Sequence, residues 1–224
     1  MSAPVEIVRN ARARRAKLSV DPASGRVRLI LPPRTPVKAA LRWVEGQQAW
    51  IAAQQARLPR PRPFVPGGTV PFGDETLTID WCETTSRRIV RDGDILRCGG
   101  PRDGLARRIE SWLKREALRV LSEETAEFAA RAGVGVTKVA IGDPRARWGS
   151  CTSSGAIRYS WRLILAPAFV RRATVAHEVA HRVHMNHGPE FHALVERLDE
   201  ADPDRSRAWL RVNGAALHWV GRES

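Results

Sequence analysis

The sequence predicts an α+β protein whose first hundred residues are rich in β-strands and whose second half is dominated by helices. Short β-forming runs, such as VRLILP at 27–32, lie between turn residues in the first half. From about Leu105 to Ala132, and again after Pro167, apolar residues instead recur at helical spacing. At 224 residues the chain fits one large domain or a domain with a smaller appendage. We therefore expect an N-terminal region at 1–100 and a second domain at 101–224.

The N-terminal region should contain paired strands, one helix and then further strands. The turn residues Asp21 to Gly25 suggest that residues 5–31 form a hairpin. An amphipathic helix is expected from Pro36 to about Arg57, because the proline-rich segment 58–63 cannot continue it. Three more strands are expected, at 76–81, 87–91 and 94–98. The run Gly99-Gly100-Pro101 marks the predicted domain boundary.

After its first long helix, the second domain should contain strands and two shorter helices. A strand is expected at 135–141 and a second hairpin-like element from Ile157 to Leu165, with a polar loop containing RARWGSC between them. Pro167 opens a helix that carries apolar residues as far as Val183. Asn186 to Pro189 should end that helix, since Asn and Gly tolerate positive φ and proline suits a new first turn. The last predicted helix runs from Glu190 to about Leu198.

Composition narrows the class of protein. The 43% hydrophobic and 27% charged residues are typical of a soluble globular protein, and no apolar run is long enough to span a bilayer. The N-terminus lacks the apolar stretch of a secretory signal, so we expect a cytoplasmic location without membrane insertion. Three cysteines with no C-x-x-C pair argue against a disulfide framework and against a cysteine-ligated zinc site.

The formal net charge of +13 makes nucleic acid a partner to consider, because such a charge attracts polyanions. Only four of the 37 basic residues are Lys, however, and GC-rich coding can produce such an arginine bias without selection for binding. Charge alone therefore leaves both interpretations open.

Five of the six histidines lie in the string HEVAHRVHMNHGPEFH, which runs from His177 to His192. His177 and His181 are four residues apart, so a helix places both rings on one face, where they can bind the same ion. Glu178 is rotated off that face and can reach a metal-bound water without taking a coordination position. An H-E-x-x-H string arises by chance in roughly 1 chain in 100 of this composition. The motif alone is therefore not decisive for a metal site, and the sequence must also supply a third ligand.

A catalytic zinc requires three protein ligands and one open position, and His187 is favoured as the third ligand. It lies on the expected chain reversal, six residues beyond His181. His184 shares the helix face, but it is seven residues from His177, about 10 Å of helix rise, which is too far for all three to meet one ion. The alternatives that stay open are His184 and two carboxylates, Glu196 and Glu200. His192 and His218 are interpreted as structural or surface histidines.

Four motifs carry a resemblance to a known family: RWGSC at 147–151, WRLILAP at 161–167, HEVAH at 177–181 and NHGPEF at 186–191. The span from about 145 to 195 resembles the YgjP-like metallopeptidases, relatives of the SprT-like and WLM zinc peptidases. The resemblance implies a zincin-like catalytic domain with an active-site helix and a small β-sheet. It implies three zinc ligands and one catalytic glutamate, which carry over to His177, His181, His187 and Glu178. His184 stands where metzincins have glycine and no Met-turn methionine follows Met185, so the chain is not expected to be a metzincin.

We therefore expect a zinc metallopeptidase that cleaves a peptide or protein substrate, with Glu178 as general base. Three rival hypotheses stay open. The first is a basic nucleic-acid-binding protein with a structural metal site, and the second is a zinc hydrolase of non-peptide substrates. In the third, Ser150 or Cys151 is a nucleophile paired with a histidine. Trp148 and Trp161 are expected to pack in the core beside the active-site helix.

Overall fold

The computed structural model describes residues 4–199 and 203–223 of the chain. The chain forms two compact units, Met1–Arg60 and Pro61–Ser224. Both mix strands with helices, which confirms the predicted α+β class and the β-rich N-terminal region.

The first unit is a three-stranded sheet covered by two short helices. Its strands are β1 (Val5–Arg9), β2 (Lys17–Val20) and β3 (Val27–Leu31), and its helices are α1 (Val37–Glu45) and α2 (Gln48–Gln55). The central strand β3 pairs antiparallel with β2, as predicted, and parallel with β1. Alternate residues of β3, namely Val27, Leu29 and Leu31, are fully buried against α1 and α2.

The single helix predicted from Pro36 to Arg57 is wrong, because the structure has two helices with a break at Gly46 and Gln47. The break follows from the low helix propensity of glycine in a helix interior. Val44 and Ile51, on either side of the break, are nevertheless both buried on the same sheet.

The second unit begins with a four-stranded sheet in the order β4-β5-β7-β6. Its strands are β4 (Thr69–Phe72), β5 (Glu75–Cys82), β6 (Val90–Asp92) and β7 (Ile95–Gly99). The sequence did not predict β4, which contains Pro71 and lies at the edge of the sheet, where proline is tolerated. The strand expected at 87–91 begins only at Val90.

The predicted long helix is confirmed as α3 (Leu105–Ala132), which is flanked by glycines with positive φ, Gly104 and Gly133. Residues of the four-stranded sheet, including Leu77, Ile79 and Leu96, share one core with α3. Residues 61–99 consequently belong to the second compact unit. The predicted division into domains at 1–100 and 101–224 stays a prediction.

A third sheet precedes the remaining helices. It consists of β8 (Lys138–Gly142), β9 (Gly149–Cys151) and β10 (Ala156–Ser160), with β10 in the centre, parallel to β8 and antiparallel to β9. The predicted hairpin-like element to Leu165 is wrong in its second half, because β10 ends at Ser160 and Trp161–Leu165 form a short 3-10 helix. The Ser160 hydroxyl accepts from the amide of Arg162 at 3.3 Å and begins that turn.

Three helices complete the second unit: α4 (Ala168–Ala180), α5 (Pro189–Leu198) and α6 (Pro203–Leu217). The helix expected to reach Val183 ends at Ala180, with His181 as its C-cap. Two side-chain links hold α4 and α6 in place. Arg171 of α4 makes a bidentate ion pair with Glu124 of α3, with nitrogen to oxygen distances of 2.9–3.1 Å. Arg162 donates to the carbonyl of Leu217 at 2.7 Å and fixes the end of α6.

No helix among residues 4–199 and 203–223 is both long and apolar enough to cross a membrane.

Candidate metal centre

The C-terminal end of α4 carries the first two histidines of the site. His177 lies in the last turn of the helix and His181 caps it, with ring centroids 4.9 Å apart. The buried face of α4, with Val175, Ala176 and Val179 fully buried, anchors this turn against the core. The two rings are therefore attached to a rigid part of the helix.

The third histidine comes from the segment that joins α4 to α5. Gly188 is the N-cap of α5 and Pro189 its first residue, which begins the helix directly after His187, as the sequence predicted. Nε2 of His187 lies 3.2 Å from Nε2 of His177. One ring nitrogen from each of His177, His181 and His187 lies within 4.8 Å of the others, so this group could hold a metal ion.

The donor set fits zinc chemically. Two imidazole nitrogens on one tetrahedral zinc lie about 3.3 Å apart when each bond is about 2.0–2.1 Å. The 3.2 Å separation between His177 and His187 is close to that value. Three neutral nitrogen ligands also leave a fourth tetrahedral position for a water or a substrate oxygen.

Phe191 on α5 supports all three rings at once. Its ring centroid lies 4.9 Å from that of His177, 4.7 Å from that of His181 and 4.8 Å from that of His187. The side chain is only 1% exposed. Packing of α5 against α4 therefore also fixes the orientation of the imidazoles.

The ring of His181 is oriented by a hydrogen bond as well. Its Nδ1 lies 3.1 Å from the backbone oxygen of His184. A proton on Nδ1 is donated to this carbonyl, which leaves Nε2 with its lone pair for a metal. His184 therefore contributes its carbonyl to the site, while its own ring lies 3.7 Å from Glu190.

Burial keeps the rings of His177 and His181 neutral. Burial, together with the neighbouring His181 and His187, lowers the pKa of His177 to about 4. Burial also lowers the pKa of His181, although the bond to the His184 carbonyl opposes the shift. Neutral imidazole is the form that binds a metal, so no proton has to leave these two rings at neutral pH.

Glu178 lies beside the triad and is only 5% exposed. Its carboxyl group packs against the backbone of Gly149 in β9, where an added Cβ would lie 2.4 Å from Oε1. Burial raises the pKa of Glu178 to about 7, and the positive charge of Arg147 opposes that shift. A carboxyl group with this pKa can accept and return a proton at neutral pH.

His177 of the triad and Glu178 line an open cavity of about 280 Å³. Its walls come from β9 and the residues before it, from α4 and α5, and from α6. Arg147, Trp148 and Gly149 form one side, and Ser206, Arg207 and Leu210 of α6 form the other. Trp148 is half-buried and lines this cavity, whereas Trp161 is 1% exposed and lies in the core, as expected.

The chain matches one protein family over nearly its whole length. The model of the YgjP-like metallopeptidase domain matches residues 14–213, nearly the whole chain. The chain belongs to the YgjP-like metallopeptidase family. The family indicates a zincin-like fold, a metal-dependent hydrolase and a peptide or protein substrate. No curated protein and no solved structure matches the chain.

The other polar residues singled out in this YgjP-like chain do not join the triad. Glu196 is exposed on α5 and is absent from the metal-binding group found among the described residues, and Glu200 lies outside those residues. His192 contacts Phe191 from the side, with ring centroids 5.5 Å apart. His218 is 8% exposed and packs on Trp148.

Cys151, the rival nucleophile, has a raised pKa because it is partly buried. Its Sγ donates to the carbonyl of Thr152 at 3.4 Å. A thiol with a raised pKa is a weak nucleophile at neutral pH. Within the described residues, neither Cys151 nor Ser150 has a side-chain hydrogen bond to a histidine.

Sequence reasoning did not assign a role to Gly149, Arg147 or α6. The string RWGSC contains the first two of these and was noted for its resemblance to the family. The contact of Gly149 with Glu178 joins two segments that lie almost thirty residues apart in the chain. The spacing of residues along one helix does not reveal such a contact.

Proposed function

We propose that the protein is a zinc peptidase in which His177, His181 and His187 hold the ion and Glu178 is the general base. The observation that carries this proposal is the convergence of three imidazoles, one of which, His177, lines the same cavity as the buried Glu178 carboxyl group. Zinc, when bound there, would lower the pKa of a water and polarise the scissile carbonyl.

The part of Glu178 in this reaction is proton transfer. As the base, its carboxylate takes a proton from the water that attacks the carbonyl carbon, and the carboxyl group then gives that proton to the leaving amine. The water oxygen forms the new C–O bond first, and the C–N bond breaks afterwards, when the nitrogen has received its proton. Because the nucleophile is water, no covalent intermediate with the protein arises. The raised pKa of Glu178 supports both steps, the uptake of the proton from water and its transfer to the amine.

Strand β9 supports a peptide as the substrate. Within the third sheet as described, β9 pairs only with β10 and forms one edge. An extended peptide could add to such an edge through main-chain hydrogen bonds. Since Gly149 of β9 contacts Glu178, a peptide on this edge would run past the general base.

Glu178→Gln tests the proposal. The amide keeps the size of the side chain but cannot accept the proton, so hydrolysis should fall by roughly 100-fold to 10,000-fold. Cleavage of a peptide library by zinc-loaded protein, read by mass spectrometry, supplies the activity measurement. Zinc content should stay near that of the wild type in elemental analysis.

The matched control is Glu196→Gln, an exposed glutamate on α5, which should keep wild-type activity. Wild-type turnover by Glu178→Gln would refute the role of the base. Hydrolysis of esters or phosphoesters with no cleavage of any peptide would refute the assignment as a peptidase.

A further inference from the structure

A second concave surface of the same unit is lined by five arginines. Arg87 and Arg88 come from the loop before β6, and Arg107, Arg108 and Arg115 come from the N-terminal half of α3. They surround a cavity of about 250 Å³, which we call the arginine groove. None of these arginines lines the cavity beside His177 and Glu178.

Two glycines at the end of β7 hold the loop side of the arginine groove in place. A Cβ on Gly99 would lie 2.2 Å from the carbonyl oxygen of Ser86, and one on Gly100 would lie 2.5 Å from Cγ of Arg87. Gly100 also has a φ of 81°, which disfavours other residues. The loop therefore packs directly on the main chain of the strand, which fixes the stem of Arg87.

The groove lacks negative partners. Among the residues that the structure describes, none of the five arginines forms an ion pair with a carboxylate. Elsewhere in the same unit, arginines do pair, as Arg97 does with Asp92 and Arg172 with Glu127. Other arginines of the unit, such as Arg102 and Arg158, form no ion pair with a described carboxylate either, so what sets the groove apart is that five unpaired arginines line one concave surface.

The hydrogen bonds of Arg108 also involve no carboxylate. Its two terminal nitrogens donate only to backbone carbonyls, of Pro101 at 2.7 Å and of Asp103 at 3.3 Å. Its Nε is buried without a hydrogen-bond partner in the described part of the chain. The neutral carbonyls do not compensate the positive charge of this guanidinium, which lies near the other four arginines. Five positive charges in one groove repel one another, so a bound anion would be favourable there.

We propose that the arginine groove binds the phosphodiester backbone of a nucleic acid. Guanidinium groups match phosphate oxygens in charge and geometry. Arg107 and Arg115 are eight residues apart on α3, roughly 12 Å of helix rise. Phosphates follow one another by roughly 3.4 Å of axis along each strand of a duplex, so the α3 side of the groove spans about three of them, and Arg87 and Arg88 on the loop side would contact two more.

The binding should be independent of sequence. Trp112, the aromatic residue on this part of α3, is 7% exposed and belongs to the core, so it offers no face on which a base could stack. Contacts to phosphate without base contacts fix affinity but carry no sequence information.

The test is fluorescence anisotropy of the full chain with labelled 20-mers of single-stranded DNA, double-stranded DNA and RNA, titrated between 50 and 200 mM salt. Five phosphate contacts predict a slope of about −3.5 in log K against log salt for a single strand, or about 100-fold weaker binding over this range. Arg107→Gln/Arg115→Gln should reduce the slope to about −2 and weaken binding at least about tenfold at 50 mM salt. The three probes distinguish the kind of nucleic acid.

The control is Arg197→Gln/Arg211→Gln, which removes the same charge from exposed positions on α5 and α6 that do not line the groove. It should bind within about twofold of the wild type. Equal weakening by both double variants would show that only net charge matters and would overturn the proposal. Competition by polyglutamate as strong as that by unlabelled DNA, at equal charge, would overturn it in favour of an acidic protein partner.

Discussion

Gly149 and Glu178 are in direct contact: a Cβ on Gly149 would lie 2.4 Å from Oε1, 2.6 Å from Cγ and 2.7 Å from Cδ of the glutamate. The main chain of β9 thus forms the wall that holds the carboxyl group in place. Any residue other than glycine must displace either β9 or Glu178.

Gly149→Ala should therefore impair hydrolysis and leave the metal site intact. Because a displacement of about 1 Å can reduce the rate of an enzyme about 100-fold, we expect kcat/KM to fall by about that factor. Gly135→Ala is the control, since a Cβ there would meet nothing within 4 Å. Steady-state kinetics with zinc analysis compares them, and unchanged kcat/KM in Gly149→Ala would show that the contact has no role.

Each histidine of the triad should be needed for metal binding. We expect about one zinc per chain in the wild type and most of it lost in His177→Ala, His181→Ala and His187→Ala. His192→Ala should keep its zinc. Elemental analysis after dialysis against buffered zinc measures the content. Retention in His187→Ala together with loss in His184→Ala would assign the third ligand to His184.

The contribution of Glu178 to the stability of the metal-free protein should fall as pH rises. Its folded pKa of about 7 lies above the ordinary value of 4.5, so the folded state binds the proton more tightly than the unfolded state. The stabilisation is complete below about pH 4.5 and is lost as pH rises through 7, a change of about 3 kcal/mol.

Glu178→Gln removes this titration. In EDTA, the free energy of unfolding of Glu178→Gln relative to the wild type should thus rise by about 3 kcal/mol between pH 4.5 and 8. Urea denaturation at a series of pH values measures it. A difference that stays constant with pH would mean that the carboxyl group is not buried in solution.

The ion pair between Glu124 and Arg171 should be important for stability. Their side chains are 10% and 11% exposed, so Arg171→Met leaves a buried carboxylate without its partner and should cost about 3 kcal/mol. Glu124→Gln/Arg171→Met should recover part of that loss. The exposed pair of Arg97 and Asp92 is the control, and Arg97→Met should cost less than about 1 kcal/mol. Equal losses in Arg171→Met and Arg97→Met would contradict this interpretation.

The parts of the candidate site that were predictable from the sequence are local in the chain. His177 and His181 share a helix face by their spacing, and the run from Asn186 to Pro189 predicts the reversal that brings His187 to them. These arguments need only the geometry of one helix and one turn.

The parts that were not predictable depend on distant contacts. Gly149 meets Glu178 only because β9 joins the third sheet beside α4. Arg87 shares a groove with Arg107 only because the loop before β6 packs on Gly99 and Gly100 and lines one cavity with α3. The net charge of +13 was evident, but not which arginines would gather. The break at Gly46 was missed because the apolar pattern continues on both sides of it.

The positions of the three histidines also have a kinetic consequence. Two belong to the end of α4 and the third precedes α5, so an ion held by all of them cross-links the two ends of the reversal. Release of the ion and local unfolding of α5 would then be linked steps. At a free zinc concentration 100 times the Kd, amide hydrogen exchange in α5 that requires this opening should slow about 100-fold. The time for which the protein keeps its metal would consequently be set by the local stability of a ten-residue helix that supplies no ligand itself.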